Sequence, residues 1–113
     1  MNIFSDYYGQ YFEGRSSQWT KVRGVWLLLH QTCAACGGDS NLNVHHIKPF
    51  AYYPELELDP GNFITLCEHP ARNCHLNIGH SGDWSAYNPF CVEDAATALL
   101  RRSNRLYRRI LPA

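Results

Sequence analysis

The sequence has no long apolar run, no excess of charge of either sign and no internal repeat or low-complexity segment. Its longest apolar run, residues 25–29, is far shorter than the roughly 18 residues that a membrane-spanning helix needs. The first residues place Asp6 and Glu13 among aromatic side chains, which is not the basic-then-apolar order of a signal peptide. These absences predict a soluble, intracellular protein with no membrane partner.

The charged residues are balanced in number but not in position. Ten basic residues match ten acidic residues, so the net charge by itself indicates no class of partner. Half of the basic residues lie near the end of the chain, namely Arg101, Arg102, Arg105, Arg108 and Arg109. This clustering predicts a basic face on a neutral chain. The chain has 113 residues and no marked domain boundary. Because this is the usual length of one domain, a single domain over residues 1–113 is predicted.

Apolar periodicity predicts a helix on each side of the central part of the chain. Residues 1–16 are rich in Tyr, Gly and Ser without a sustained period and predict an irregular arm. A helix is predicted over residues 17–32, with Ser16 or Ser17 as its N-cap. Its apolar stripe is Trp19, Val22, Trp26 and Leu29. Residues 81–113 predict a loop followed by a basic helix. The inward stripe of that helix is Val92, Ala95 or Ala96, Leu99, Ser103, Leu106 and Ile110.

The middle of the chain predicts two short strands and a short helix. Residues 43–47 and residues 63–67 carry β-branched and apolar side chains and predict the strands. Asp-Pro-Gly-Asn at residues 59–62 predicts a tight turn just before the second strand. The short helix is predicted to begin near Cys74 and to be ended by Gly79 in the left-handed conformation.

Cysteine spacing predicts a structural zinc site. Cys33 and Cys36 are two residues apart and are followed by two glycines, which is the form of a zinc knuckle. A redox pair is the weaker interpretation, because that motif sits between a strand and a helix. Cys67 and Cys74 are the candidates for the two remaining ligands, and the six residues between them offer His69 as a substitute ligand.

A pair of adjacent histidines lies at the centre of this arrangement. His45 and His46 share one predicted strand, so their side chains point to opposite faces and are suited to different jobs. Together with Asn62, the Cys-His pair at residues 74 and 75 and the four cysteines, they resemble the HNH endonuclease family over roughly residues 33–80. The resemblance implies an α+β fold, with a small ββα-metal core, flanking N- and C-terminal helices and a structural zinc knuckle.

The resemblance also implies a role for each residue of the site. His45 and His75 match metal ligands, and His46 matches the general base that takes a proton from the attacking water. Asn62 matches the residue that orients the loop between the strands, so that a backbone carbonyl holds the base imidazole. Related colicin nuclease domains carry a further histidine four residues along the helix, whereas His80 follows His75 by five. A third metal ligand, a phosphate contact and a helix cap are the alternatives for His80.

The function that the resemblance implies is metal-dependent endonucleolytic cleavage of DNA, most readily double-stranded DNA. Its cofactors would be a structural Zn²⁺ and one catalytic Mg²⁺, Mn²⁺, Ni²⁺ or Zn²⁺. Later features resemble small HNH proteins of bacteria and phages, which implies a cytoplasmic setting in a bacterium or phage-infected cell, with phage packaging or recombination proteins as partners. Phosphate contacts are expected from Lys48, Arg101, Arg102, Arg105 and Arg108. The alternatives are a non-catalytic zinc module that binds nucleic acid or protein, and an RNA-directed nuclease with the same site.

Overall fold

The structure is a computed structural model that describes residues 15–111. The expected arm over residues 1–16 lies almost entirely outside that range. The main elements, in chain order, are α1 (Trp19–Leu29), β1 (Leu42–His46), β2 (Phe63–Cys67), a π-helical turn (His75–Gly79) and α2 (Cys91–Ile110). The predicted α+β class, with two strands between flanking helices, is confirmed. Within residues 15–111, no helix combines the length and apolar character needed to cross a membrane.

The two strands form an antiparallel ribbon at the centre of the domain. His45 lies opposite Ile64, and His46 lies opposite Phe63. All five residues of β2 are buried, as their apolar and β-branched side chains favour. Because side chains alternate along a strand, Ile64 and Phe63 enter different apolar clusters. The ribbon therefore separates two small cores and places one histidine of the pair on each side.

Helix α1 packs on the Phe63 side of the ribbon. Trp19 is buried against Val44 and Phe63, and the indole N–H of Trp26 donates to the hydroxyl of Thr65 at 2.9 Å. The expectation that Leu29 faces inward is wrong, since that side chain is 74% exposed. A two-stranded ribbon is narrow, and it covers the first turns of the helix but not the last. The expected serine cap is also wrong, because Gln18 occupies the cap position and makes no side-chain cap bond.

Helix α2 packs through its first turns alone. Cys91 and Ala95 are buried in the cluster that contains Ile64, whereas Leu106 is largely exposed and Ile110 is 80% exposed. The expected inward stripe is therefore wrong at Val92, which is 43% exposed, and again beyond the first turns. No other element in residues 15–111 is long enough to pack along all twenty residues of α2. The second half of α2 therefore extends beyond the small domain, with its arginines and apolar side chains in solvent.

Candidate functional site

Four cysteine side chains form one compact cluster. The sulfurs of Cys33, Cys36, Cys67 and Cys74 all lie within 4.8 Å of one another, and all four residues are buried. Cys36 Sγ and Cys67 Sγ are 3.8 Å apart, which is about the edge of a tetrahedron with Zn–S bonds of about 2.3 Å. The backbone N–H groups of Ala35 and Gly38 donate to sulfur. This cluster can hold a structural metal ion.

The thiols of this cluster have shifted pKa values. Burial raises the pKa of Cys33 and of Cys74. Burial also acts to raise the pKa of Cys67, but hydrogen bonds from the backbone N–H groups of Cys74 and His69 and from neighbouring thiols outweigh it and lower the pKa to about 7. A metal ion that binds here must displace the protons of the buried thiols, so metal binding and proton release are linked.

The segment between Cys67 and Cys74 contributes a cation to the cluster. Arg72 approaches Cys36, and a Cβ placed on Gly38 would lie 3.3 Å from both the guanidinium Nη2 and the sulfur. A hydrogen bond to the Cys36 sulfur is the main reason that the pKa of Arg72 is raised. His69 is not among the four clustered residues, and its Nδ1 accepts from the backbone N–H of Ala71. Nothing in the sequence indicated that Arg72 would contact the thiols.

Three histidines form a second cluster. Nitrogen atoms of His45, His75 and His80 lie within 4.8 Å of one another, and His45 Nδ1 is 3.1 Å from His75 Nε2. His45 comes from β1, His75 is the first residue of the π-helical turn, and His80 directly follows that turn. The backbone N–H of His80 donates to the carbonyl of His75 at 3.1 Å. A π-helical turn closes over five residues, so the interval of five brings both imidazoles to the same side.

The rings of this second cluster are oriented by their other nitrogen atoms. Nδ1 of His75 lies 3.3 Å from a carboxylate oxygen of Glu68, and Nδ1 of His80 lies 2.7 Å from the carbonyl of Ala86. With Nδ1–H donating to these acceptors, Nε2 of each ring carries a lone pair. His45 Nε2 is buried without a hydrogen-bond partner. A buried polar atom left in this state calls for an explanation, and a metal ion is one that fits the donor set.

Burial keeps all three imidazoles neutral at pH 7. It lowers the pKa of His45 to about 2, with a further contribution from the other two histidines. It lowers the pKa of His75 to about 4, and it also lowers the pKa of His80. Neutral imidazole is the form that binds metals. The residues present therefore fit a divalent ion.

Gly79 is required because the backbone passes close to the His45 ring, not because the helix ends there. The expectation that it ends the helix in the left-handed conformation is wrong, because Ser81, with φ of 53°, takes that conformation instead. A Cβ on Gly79 would lie 3.0 Å from both Cε1 and Nδ1 of His45. The turn approaches the His45 ring so closely that a side chain has no room, which fixes where that ring sits.

Replacing Gly79 with alanine is expected to displace the His45 imidazole and to weaken divalent-ion binding by roughly 10-fold, the low end of the cost of losing ligand orientation. Titration calorimetry of Ni²⁺ into zinc-loaded protein measures this. Gly24→Ala is the matched control, because nothing lies within 4 Å of that position in α1. It should raise helix stability by up to about 1 kcal/mol without changing Ni²⁺ affinity. Parental affinity in Gly79→Ala would contradict the prediction.

His46 lies on the other face of β1. Its Nε2–H donates to the backbone carbonyl of Glu57 at 2.9 Å, and its ring packs on Trp19 and edge-on against Phe63. Burial lowers its pKa to about 4, and the charge of Arg15 acts in the same direction. The ring is thus neutral at pH 7, with the lone pair on Nδ1. His45, His46, His75 and His80 all line one cleft of about 200 Å³.

Asn62 fastens the chain just after β1. Its side chain accepts from the backbone N–H of Lys48 at 2.8 Å and donates to the Lys48 carbonyl at 3.0 Å, and its own carbonyl accepts from the N–H of Ile47. These bonds hold the start of the loop that carries the Glu57 carbonyl. Asn62 does not line the cleft, so its link to His46 is indirect, and the orienting role stays a prediction.

Several residues that line the cleft were not predicted from the sequence to be site residues. Arg15, Glu68 and Trp84 line it. The Arg15 guanidinium lies over Trp19, 4.4 Å from the ring centroid, and pairs with Glu57 at 3.5 Å. The ion pair joins residues more than forty positions apart, so no local pattern in the sequence indicates it. Glu68 carried a weak signal, since it directly follows a cysteine of the first cluster.

The expected phosphate-binding residues lie apart from the cleft. Lys48 is exposed, with its ammonium 5.4 Å from the ring centroid of Tyr53. The arginines of α2 lie on a helix that leaves the domain, and none of them lines the cleft. The nucleic-acid contacts expected of Lys48, Arg101, Arg102, Arg105 and Arg108 stay predictions.

Comparison with known proteins finds a family model that matches the part of the chain that holds both clusters. The HNH endonuclease family model matches residues 31–81, a segment that contains the four clustered cysteines and His45, His46, Asn62, His75 and His80. No curated protein and no solved structure matches the chain. A nuclease-type function is what this family supports in general. Residues 31–81 are thus similar to the HNH endonuclease family.

Proposed function

We propose that the protein is a metal-dependent endonuclease that hydrolyses phosphodiester bonds of DNA, and that the chain acts as a single domain. The observation that carries this proposal is the division of labour within β1. His45 faces two other imidazoles and leaves Nε2 buried without a partner, whereas His46 opens into the same cleft from outside that cluster. A non-catalytic zinc module would need the cysteines alone, and it would leave this second arrangement without a purpose.

The residues that would hold the catalytic ion are His45, His75 and His80. When bound there, a divalent ion supplies positive charge to the phosphate oxygens as they become more negative. Imidazole donors favour transition metals, so Mn²⁺, Ni²⁺ or Zn²⁺ suits the site better than Mg²⁺. The cysteine cluster would hold Zn²⁺ separately, as a structural site with no open position.

His46 would act as the general base. Its Nδ1 is unprotonated at neutral pH because burial lowers its pKa, so it can accept a proton from the attacking water. Its Nε2–H donates to the Glu57 carbonyl, which keeps the ring from turning and favours the imidazolium once it forms. Asn62 supports this arrangement through the backbone of Lys48. The chain's own residues thus orient the base, move the proton and hold it.

Double-stranded DNA is the substrate that we propose. Lys48, Arg101, Arg102, Arg105 and Arg108 would contact phosphates, and such contacts make affinity fall steeply with salt while conveying little sequence information. The cytoplasmic setting, in a bacterium or a phage-infected cell, and partners in phage packaging or recombination rest on the family resemblance alone.

Incubation of supercoiled plasmid with the purified, zinc-loaded protein tests the proposal. We expect no cleavage in EDTA, and nicked or linear product when Mn²⁺, Ni²⁺, Zn²⁺ or Mg²⁺ is added back singly. Zinc content is measured in the same samples, so that loss of the structural ion is not mistaken for loss of the catalytic one. A matched RNA substrate distinguishes an RNA-directed nuclease. Binding of DNA without cleavage in any of the ions would instead favour the non-catalytic zinc module.

A further inference from the structure

We propose that Glu68 is a positioning residue that orients the metal ligand His75. The inference rests on the proposed function, since it assumes that the three histidines bind a divalent ion. Glu68 lies on the edge of the cleft with its side chain 42% exposed. Exposed carboxylates are usually free to rotate, and what distinguishes this one is that both of its oxygens have a fixed partner.

Two hydrogen bonds fix the carboxylate. Glu68 Oε1 lies 3.3 Å from His75 Nδ1, and Oε2 accepts from the side-chain amide of Asn43 at 2.9 Å. The Asn43 oxygen in turn accepts from the guanidinium of Arg23 at 3.0 Å. A relay thus runs from α1 through β1 to the metal ligand. These bonds hold the His75 ring with Nε2 toward His45.

The cysteine cluster sets the distance between the side chains of Glu68 and His75. Glu68 directly follows Cys67, and His75 directly follows Cys74. Both cysteines are buried within the same group of sulfurs, and the backbone N–H of Glu68 also donates to the carbonyl of Asn41 at 2.8 Å. The structural cluster therefore places the carboxylate and the imidazole side by side.

A direct ligand role for Glu68 does not fit the geometry. Its near oxygen meets Nδ1 of His75, whereas Nε2 of that ring is the nitrogen that meets His45. The carboxylate therefore lies on the side of the ring away from the shared nitrogens. A carboxylate that accepts from the outer nitrogen of a ligating histidine fixes the tautomer and makes the ligand more basic, and losing such a partner costs roughly 10–100-fold in metal affinity.

Ni²⁺ titration of the full-length, zinc-loaded protein tests the inference through binding alone. Glu68→Ala should weaken Ni²⁺ binding by roughly 10–100-fold, and Asn43→Ala should weaken it less. The double variant should bind no more weakly than Glu68→Ala, because both changes break one relay. Glu55→Gln removes an exposed carboxylate outside the cleft and should leave Ni²⁺ affinity unchanged. His75→Ala defines any Ni²⁺ uptake that does not involve the site.

The outcomes separate this inference from the proposed function. Parental Ni²⁺ affinity in Glu68→Ala overturns the positioning role, whether or not the parent protein cuts DNA. Additive losses from Asn43→Ala and Glu68→Ala overturn the relay as drawn. If Glu68→Ala does not fold, Glu68→Leu decides the matter by the same affinity measurement, since it keeps a side chain of similar size that cannot accept a hydrogen bond. A parent that binds Ni²⁺ at His75 yet fails to cut contradicts the nuclease and leaves this result intact.

Discussion

Replacing His46 with alanine is expected to slow DNA cleavage by roughly 10²–10⁴-fold, the usual contribution of a general base. His46 is not part of the histidine cluster that can hold a metal, so divalent-ion affinity should change little. The Glu57 carbonyl loses its hydrogen-bond donor in this variant, and the contact with Trp19 is also lost. Some loss of stability is therefore expected, but the protein should still fold, and the main effect should be on the rate of cleavage.

Single-turnover cleavage of plasmid with saturating metal measures this effect, alongside thermal unfolding and Ni²⁺ affinity. His46→Gln provides a second variant that keeps a polar side chain at the position, and it should be slow as well. His69→Ala is the matched control, since that imidazole contacts the Ala71 backbone outside the cleft and its loss should leave the rate unchanged. A folded His46→Ala protein that binds DNA and cuts at the parental rate would show that His46 is not the general base.

Replacing Cys33 with serine is expected to remove zinc and to unfold the domain. Structural zinc contributes about 10–16 kcal/mol of binding free energy in small domains, whereas whole domains are stable by only about 5–15 kcal/mol. The two apolar clusters flanking the ribbon are small, and one of them is built partly from the four cysteines themselves. Cys33 is the informative choice because, unlike Cys67 and Cys74, it is not followed by a residue of the histidine site.

Zinc content by mass spectrometry, far-ultraviolet circular dichroism and the thermal midpoint together measure this loss. Cys91→Ser is the matched control: Cys91 is equally buried in the same cluster but is not one of the four clustered sulfurs. It should keep one zinc per chain and lose only the modest stability that burying a hydroxyl costs. Full zinc content and parental unfolding in Cys33→Ser would contradict a structural role for the metal.

Local patterns predicted the parts of this protein that depend on neighbours in the chain. β2 has the predicted bounds, because a run of five apolar and β-branched residues after a Pro-Gly turn has few alternatives. β1 differs by one residue at each end. The four cysteines also come together as predicted, although only Cys33 and Cys36 have the spacing of a zinc knuckle.

Features that depend on the whole fold were not predictable in the same way. Leu29 and Ile110 match a helical stripe but are exposed, because periodicity says which face is apolar and not how much of it finds a partner. Gly79 has the position of a helix terminator, yet its constraint comes from His45, more than thirty residues away. The partners of Glu57 and Glu68 likewise come from distant segments, and a single sequence does not encode such contacts locally.

The register of the ribbon carries a consequence for how the sequence can change. A slip of one position would turn His45 toward Trp19 and swing His46 toward the imidazole cluster, exchanging their duties. With five paired residues per strand, backbone bonds alone are a weak guard against such an error. The hydrogen bonds between Asn62 and Lys48 fix the register at one end of the ribbon. Cys67, buried in the cysteine cluster, fixes it at the other end. A one-residue insertion or deletion between Asn62 and Cys67 is therefore expected to abolish the proposed DNA hydrolysis, although every catalytic side chain would still be present.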